Sequence, residues 1–491
     1  MKESPSIWNR LRVLFGGKRP SPAAPAQVQP TPPVAPTLQQ VTPPPSPVAA
    51  HAAPEKIIAP AQEKPLTISS HLTTIDAPKV DLVLGLDLGT SCSKVVIGDP
   101  GWKNKSYAVS FSPADGNISA WLKPTRFGSE ANLKMRLMND PASDQIRDYV
   151  ACYLAEVIRH SRSWFDANAP MDYRRREIRW SLNLGFPDKT VKGSRFASAY
   201  TDVANLAVAL ASRPEISSPE TAGRIRRQEL DVEPFIPPSR VKLYPEIAAQ
   251  LAGYVNSPYR KAGNLLLIDV GAGTLDVSTI ILHGNRDQDI VSFHFCDVQD
   301  LGVLRLYERR MKELENISNG CTKFAIEHFQ DGSRPIPENV TDLVHRSNPS
   351  VEKAFNQVSQ LFSKEILDVA HGCLGRFRKS QRDANSNRNY DPWGNSLRFF
   401  LTGGGCRSSF YKWYLADGPL EKRLLNITRW HPEENRRRTQ NEGLLLESLP
   451  APDNLQNFTK FIRSDFDRLS VAYGLAFGGE NLMKITSATH Q

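Results

Sequence analysis

LVLGLDLGTSCSKVVIGD, Leu82–Asp99, is an apolar run that ends in Asp87-Leu88-Gly89, turns through Thr90 and Ser91, and resumes as a second β-rich run. Branched apolar residues on both sides of a small-residue turn predict a β-hairpin with exposed backbone at its tip. The pattern returns as LLLIDVGAGTLDVSTIIL, Leu265–Leu282, with Asp269 at the same place relative to its strand. Two such hairpins in one chain predict an internal duplication of a half-domain.

Outward from the hairpins, short apolar strands alternate with longer helical stretches, the α/β pattern. Further strands are expected at Arg179–Leu184 and Leu397–Leu401. Helices are expected at Ile146–His160, Ser194–Ala211, Pro245–Val255, Leu301–Leu314, Val351–Arg378 and Arg468–Phe477. The polar stretches Ser212–Pro238 and Lys379–Asn395 are expected as surface loops.

The hairpins suit phosphate binding. Glycine at a hairpin tip lets backbone N–H groups approach an anion closely. Thr90, Ser91 and Thr274 add hydroxyl donors. A carboxylate at a strand end cannot hold phosphate itself, but it can hold Mg²⁺ through water. Hairpins facing each other would clamp a triphosphate from both sides. A third motif, RFFLTGGGCRSSFYKWYL (Arg398–Leu415), runs a buried strand into Gly403-Gly404-Gly405, a turn suited to close approach of a nucleotide. VKLYPEIAAQLAGYV (Val241–Val255) and RLSVAYGLAFGG (Arg468–Gly479) read as small-residue helices made for close packing.

Composition narrows the function. The 491 residues are 40% hydrophobic and 23% charged, ordinary for a protein that buries a core. No run of apolar residues is long enough to span a bilayer, and the N-terminus lacks a secretory h-region. Six scattered cysteines without a CxxC pair point to reduced thiols and a cytoplasmic location, and no Cys/His spacing suits zinc. The net charge of +9 is spread too thinly to argue for nucleic acid, and none is expected. Residues 1–19 form a short basic amphipathic segment with Ile7, Trp8, Leu11, Leu14 and Phe15 near one face, suited to protein docking or peripheral membrane contact. Residues 20–80 are a tether, with sixteen of the 37 prolines lying in residues 1–80. The basic clusters Arg174–Arg176 and Arg436–Arg438 are candidate contact patches or solvated faces.

In this order, DLGTS hairpin, small-residue helix, DVGAGTLD hairpin, GGG strand and small-residue helix resemble the actin/Hsp70/sugar-kinase ATPase superfamily. Within it the chain most resembles the Hsp70 nucleotide-binding domain. DVGAGTLDVS is similar to that family's second phosphate motif, TGGGCR to its adenosine motif, SVAYGLA to its last connecting helix, and RFGSEANLKMRLMNDP (Arg126–Pro141) to the segment after the first hairpin. The resemblance implies an α/β, two-lobed fold of duplicated ribonuclease-H-like halves around a nucleotide cleft. It covers about residues 82–480 of a domain at 81–491, with lobe I about 81–262 plus the C-terminal helix and lobe II about 263–465. It implies ATP/ADP and Mg as cofactors. Asp87 and Asp269 would position the Mg²⁺ and the attacking water. Gly89, Thr90 and Ser91 would bind the phosphates from one side, Gly271, Gly273 and Thr274 from the other. Gly403, Gly404 and Arg407 would border the adenosine.

Three departures follow. The family's catalytic Glu precedes a Pro, whereas here the order is Tyr244-Pro245-Glu246, so that either Glu246 substitutes or the acid is absent. The family's catalytic Lys has no clear counterpart, Arg147 being the cation nearest after Asn139-Asp140-Pro141. No peptide-binding domain follows the last helix, so a complete conventional Hsp70 chaperone is not expected. The resulting expectation is an Hsp70-like nucleotide switch with slow ATP hydrolysis, which signals to a protein partner through the N-terminal segment and tether. An actin-like filament former and a pseudo-ATPase scaffold are the alternatives.

Overall fold

The hairpin of Leu82–Asp99 lies at the centre of the first sheet in the computed structural model. The structure describes residues 78–111, 120–121, 132–187, 196–213, 218–283, 290–317, 349–385, 397–411, 444–447, 449–456, 466–477 and 484–487. The expected N-terminal segment and nearly all of the tether lie outside these residues, as does Arg436–Arg438.

The first sheet contains β1 (Lys79–Asp87), β2 (Cys92–Asp99), β3 (Lys105–Ala108), β4 (Ala120–Trp121), β5 (Glu177–Phe186) and β6 (Val241–Pro245). The second contains β7 (Gly263–Val270), β8 (Leu275–Leu282), β9 (Ile290–Gln299), β10 (Leu397–Thr402) and β11 (Leu444–Glu447). Late strands extend each sheet, β12 (Leu455–Gln456) beside β3 and β13 (Lys484–Ser487) beside β9. β1 begins two residues ahead of the expected domain boundary, because Lys79 and Val80 already pair with Glu177 and Ile178.

The duplication is a matter of topology. The first sheet runs β3-β2-β1-β5-β6 and the second β9-β8-β7-β10-β11. In each, the hairpin and the third strand are antiparallel, and the next two strands add in parallel to the far side of the first. This makes the protein a two-lobed α/β fold of the actin/Hsp70-like kind, built from two ribonuclease-H-like halves.

Helices cover the sheets where their apolar faces demand it. The helices are α1 (Leu133–Asn139), α2 (Asp144–Asn168), α3 (Met171–Arg174), α4 (Ala197–Ser212), α5 (Pro219–Arg226), α6 (Glu246–Val255), α7 (Val303–Ile317), α8 (Pro349–Asn385) and α9 (Phe466–Phe477). α2 starts at Ser143, whose hydroxyl accepts from the Ile146 N–H. Its Val150, Leu154 and Ile158 share a core with Val203 and Leu210 of α4 and with Leu82 and Leu84 of β1. In the second lobe Phe362, Ile366 and Phe377 of α8 cover Leu266 and Val277. A third core joins the lobes. Leu251 and Tyr254 of α6 and Leu469 and Ala472 of α9 pack on Val96 of one sheet and on Leu265 and Leu267 of the other. At this crossing a Cβ on Gly474 would lie 1.8 Å from the Ala249 carbonyl oxygen, so only glycine lets the two helices touch so closely.

Two expectations need correction. Ser212–Pro238 is not all loop: Ser218 caps α5, and Ala222 is buried. Lys379–Asn395 begins as the last turns of α8, since arginine, lysine and glutamine there are good helix formers.

Candidate functional site

β1, β7 and β10 all point their carboxyl ends into one cleft, where open α/β sheets place ligands. Asp87 closes β1, Asp269 is the penultimate residue of β7, Thr402 closes β10, and Glu246 follows β6. The cleft holds a cavity of about 510 Å³, within the usual range for a ligand site.

The structure brings nearly all of the expected residues to this cavity. Asp87, Gly89, Thr90 and Ser91 line one side, and Asp269, Gly271 and Thr274 the other. Gly403, Gly404 and Arg407 close one end, and Glu246 reaches in from α6. Gly273 does not line it. It abuts the Thr90 side chain, 3.0 Å from where its Cβ would stand, so that here the tip of one hairpin meets the tip of the other.

The second tip is held by a helix start. The carbonyls of Gly271, Ala272 and Gly273 accept from the N–H groups of Val303, Leu304 and Gly302. These N–H groups begin α7 and have no partner within it, so the tip satisfies them. Gly403 has φ +85°, and a Cβ there would lie 2.0 Å from Asp269 Oδ1. The turn that opens the third motif therefore rests against the second aspartate and requires glycine twice over, for conformation and for space.

Charge organises the interior. Lys134 Nζ donates to both oxygens of Glu246, at 2.8 and 2.7 Å. Burial raises the Glu246 carboxyl above the usual range despite the opposing pull of Lys134. Burial alone would lower Lys134, but Glu246 and Asp87 hold it above its ordinary value. Lys94 Nζ lies 3.2 Å from Asp87 Oδ2. That carboxylate likewise overcomes burial and raises the Lys94 ammonium. On the second hairpin Gln250 Nε2 donates to Asp269 Oδ2 at 2.6 Å and to Thr402 Oγ1 at 3.3 Å. Burial, opposed by that hydrogen bond and reinforced by Asp87, raises the Asp269 carboxyl. Asp276 sits across from Asp269 in the hairpin register. Burial, with repulsion from Asp269, pushes it up to about 8. Its Oδ1 is shielded from solvent without a hydrogen-bond partner among the described residues. At the far end Arg407 Nε donates to Asp467 Oδ2 at 3.2 Å.

The cation that the structure places beside Glu246 in the cavity is Lys134, not Arg147. Arg147 is not among the residues lining the cavity; it donates to the Pro141 carbonyl and pairs with Asp202 at 3.1 Å. Lys134 lies ahead of Pro141, inside Arg126–Pro141, whereas Arg147 follows it. Lys94, Gln250, Asp276 and Arg468 also line the cavity, and each lay unassigned within a quoted motif. Asp467, one residue outside such a motif, had no signal of its own.

The cavity lining fits a magnesium-bound triphosphate on charge. With Asp276 held up at about 8 and keeping its proton at neutral pH, four carboxylates (Asp87, Glu246, Asp269, Asp467) face four cations (Lys94, Lys134, Arg407, Arg468), which leaves no positive surplus for a polyanion. A divalent cation travelling with the polyanion would suit that balance. Among the described residues no group of three His, Cys, Asp or Glu side chains is arranged to hold a metal directly. Mg²⁺ generally keeps several of its waters, so carboxylates at strand ends suit it through water. Among the described residues no helix is long and apolar enough to cross a membrane.

No family model matches the chain, and no curated protein does. Among solved structures it is similar to a non-polymerisable quadruple mutant of pCBH ParM, at 15% identity and a TM-score of 0.38, over 81% of this chain and 98% of that one. A 15-stranded ParM filament from Clostridium botulinum is similar at 14% identity and 0.36, with coverage of 81% and 98%. The ethanolamine utilization protein EutJ from Carboxydothermus hydrogenoformans is similar at 13% and 0.34, with coverage of 81% and 90%. Overlaps this loose transfer no residue's role. The repeated strand order within the chain carries the fold.

Proposed function

We propose that the cleft binds Mg-ATP and hydrolyses it slowly, and that the two lobes act as a nucleotide-dependent switch. The observation that supports this most is the Lys134–Glu246 pair, buried in the cavity onto which the aspartates of both hairpins converge. A carboxylate raised by burial is suited to take a proton from an attacking water at neutral pH. Lys134 orients Glu246 and offsets part of the upward push that burial gives its carboxyl. Thr90, Ser91 and Thr274 offer hydroxyls to phosphate oxygens, and Arg407 borders the nucleoside end. When bound, magnesium would neutralise phosphate charge, held through water by Asp87 and Asp269. Such positioning and charge stabilisation are most of what phosphoryl transfer needs.

The switch follows from the contact between the tips. A ligand held by both hairpins favours the arrangement in which Thr90 meets Gly273, in proportion to its differential affinity for that state.

The test is single-turnover hydrolysis with binding measured in parallel. Glu246→Gln should lower the rate by about 100-fold or more while leaving affinity within a few fold. Asp87→Ala and Asp269→Ala should lose magnesium-dependent binding. An unchanged rate in Glu246→Gln rejects the catalytic assignment. ATP-dependent sedimentation of the protein would replace the switch with a filament.

A further inference from the structure

The cleft makes no use of the feature built where the chain enters its first sheet. Asp99, fully buried at the end of β2, accepts from the N–H groups of Trp102 and Lys103 at 2.9 and 3.1 Å and from the Tyr173 hydroxyl at 2.6 Å. This locks the loop after β2 onto α3. The Tyr173 ring meets that of Trp102 edge-on at 5.0 Å. The Arg176 guanidinium lies 3.9 Å, and the Lys103 ammonium 4.4 Å, from the centre of the indole. On this rigid base Trp102 is 36% and Met171 63% exposed. Arg174 and Arg175 are exposed beside them. The acids nearby are Asp172, which pairs with Lys103, and Glu177, which pairs with Lys79. Large apolar side chains on a basic face are thus held out to solvent by buried polar bonds.

Position adds a second observation. The Pro78 carbonyl accepts from the N–H of Glu177, the residue after Arg176. The 77 residues ahead of Pro78 therefore join the domain at this patch. Their far end carries Arg10, Arg12, Lys18 and Arg19 among Ile7, Trp8, Leu11, Leu14 and Phe15. Arm and patch have the same sign, so charge disfavours the arm as the patch's occupant and favours an anionic surface that both touch. Tryptophan with arginine and lysine is the composition of bilayer interfaces, and anionic headgroups attract such cations. One weak anchor binds reversibly, whereas stable attachment takes two. About 60 residues separate Arg19 from Pro78, chain enough for both anchors to reach one membrane.

We propose that Trp102, Lys103, Met171 and Arg174–Arg176 form a membrane contact that seats the domain on anionic phospholipid, in concert with the basic arm. The experiment is sedimentation of the full chain with vesicles of phosphatidylcholine, with and without phosphatidylglycerol. Binding should require phosphatidylglycerol and weaken with salt. Arg174→Ala/Arg175→Ala/Arg176→Ala should lower partitioning by about 100-fold. Met171→Ser, an exposed change that leaves the melting temperature in place, should lower it several-fold. Trp8→Asp/Leu11→Asp in the arm should weaken binding separately, and the combination should abolish it. Unchanged partitioning in the triple-Ala and Met171→Ser variants would overturn the proposal, as would equal binding to phosphatidylcholine alone. Polyglutamate competing as well as the vesicles at equal charge would also overturn it, in favour of an acidic protein partner.

Discussion

The two hairpins share a backbone and differ in charge. In the first, Asp87 faces Lys94 across the strands; in the second, Asp269 faces Asp276 at the same register. The first is neutralised from within, with Lys94 Nζ 3.2 Å from its partner. The second gathers two carboxylates, and they are offset by the Gln250 hydrogen bond to Asp269, by the charge of Lys134 and by a proton on Asp276. The two hairpins thus share a backbone and differ at one cross-strand position, a lysine in the first and a second carboxylate in the other. Two carboxylates directly opposite each other do not readily both ionise, so the second hairpin keeps a proton on Asp276 where the first has a lysine.

The largest effect should come from erasing this difference. Asp276→Lys would make the second hairpin a charge copy of the first. Its magnesium-dependent ATP affinity should fall by at least about 100-fold, the order expected when a charged partner is reversed in a buried site. Titration calorimetry with and without magnesium measures this, and retained magnesium dependence would show that Asp276 takes no part in holding the cation. Next in size, Lys94→Met leaves Asp87 buried without its partner. Stability without nucleotide should drop by about 3 kcal/mol, read from urea unfolding. A neutral result would mean that the first hairpin does not depend on its internal pair.

A smaller effect concerns pH. Asp276 is held at about 8 in the folded protein, far above its unfolded value. The native state therefore keeps a proton that the unfolded chain releases above about pH 4. The stability this provides is present below the unfolded value and is lost as pH rises through the folded one. In EDTA and without nucleotide, the melting temperature should decline between about pH 5 and 8, and Asp276→Asn should flatten that decline. Parallel curves for the two proteins would contradict the assignment. Smallest of all, Gln250→Ala removes the amide that supports Asp269. It should cost about 1–2 kcal/mol, the usual result of leaving a buried acceptor unsatisfied.

Much of the site was legible because strand and turn chemistry are local. DLGTS and DVGAGTLD announced their hairpins, and eleven of the twelve expected site residues line one cavity. What escaped depended on register. Lys94 and Asp276 sit inside the quoted motifs, yet only pairing across the hairpin shows which of them faces an aspartate as a partner and which as a rival. Lys134 escaped for another reason: it reaches Glu246 from a separate helix, and no spacing rule connects positions 134 and 246.

The amino-acid sequence alone determined the duplication, the α/β alternation, the glycine-bearing tips and the aspartates at the strand ends. Each of these rests on period, turn propensity or residue type within a short window, which the chain carries wherever it folds. Tertiary structure alone decided that Lys134 rather than Arg147 lines the cleft, that Pro245-Glu246 still brings its carboxylate there, and that Gly273 joins two tips instead of lining the cavity. Those outcomes depend on where helices land after burying their apolar faces. Burial also sets the electrostatics, because a carboxylate shielded from water is governed by the few charges beside it, and those neighbours come from distant parts of the chain.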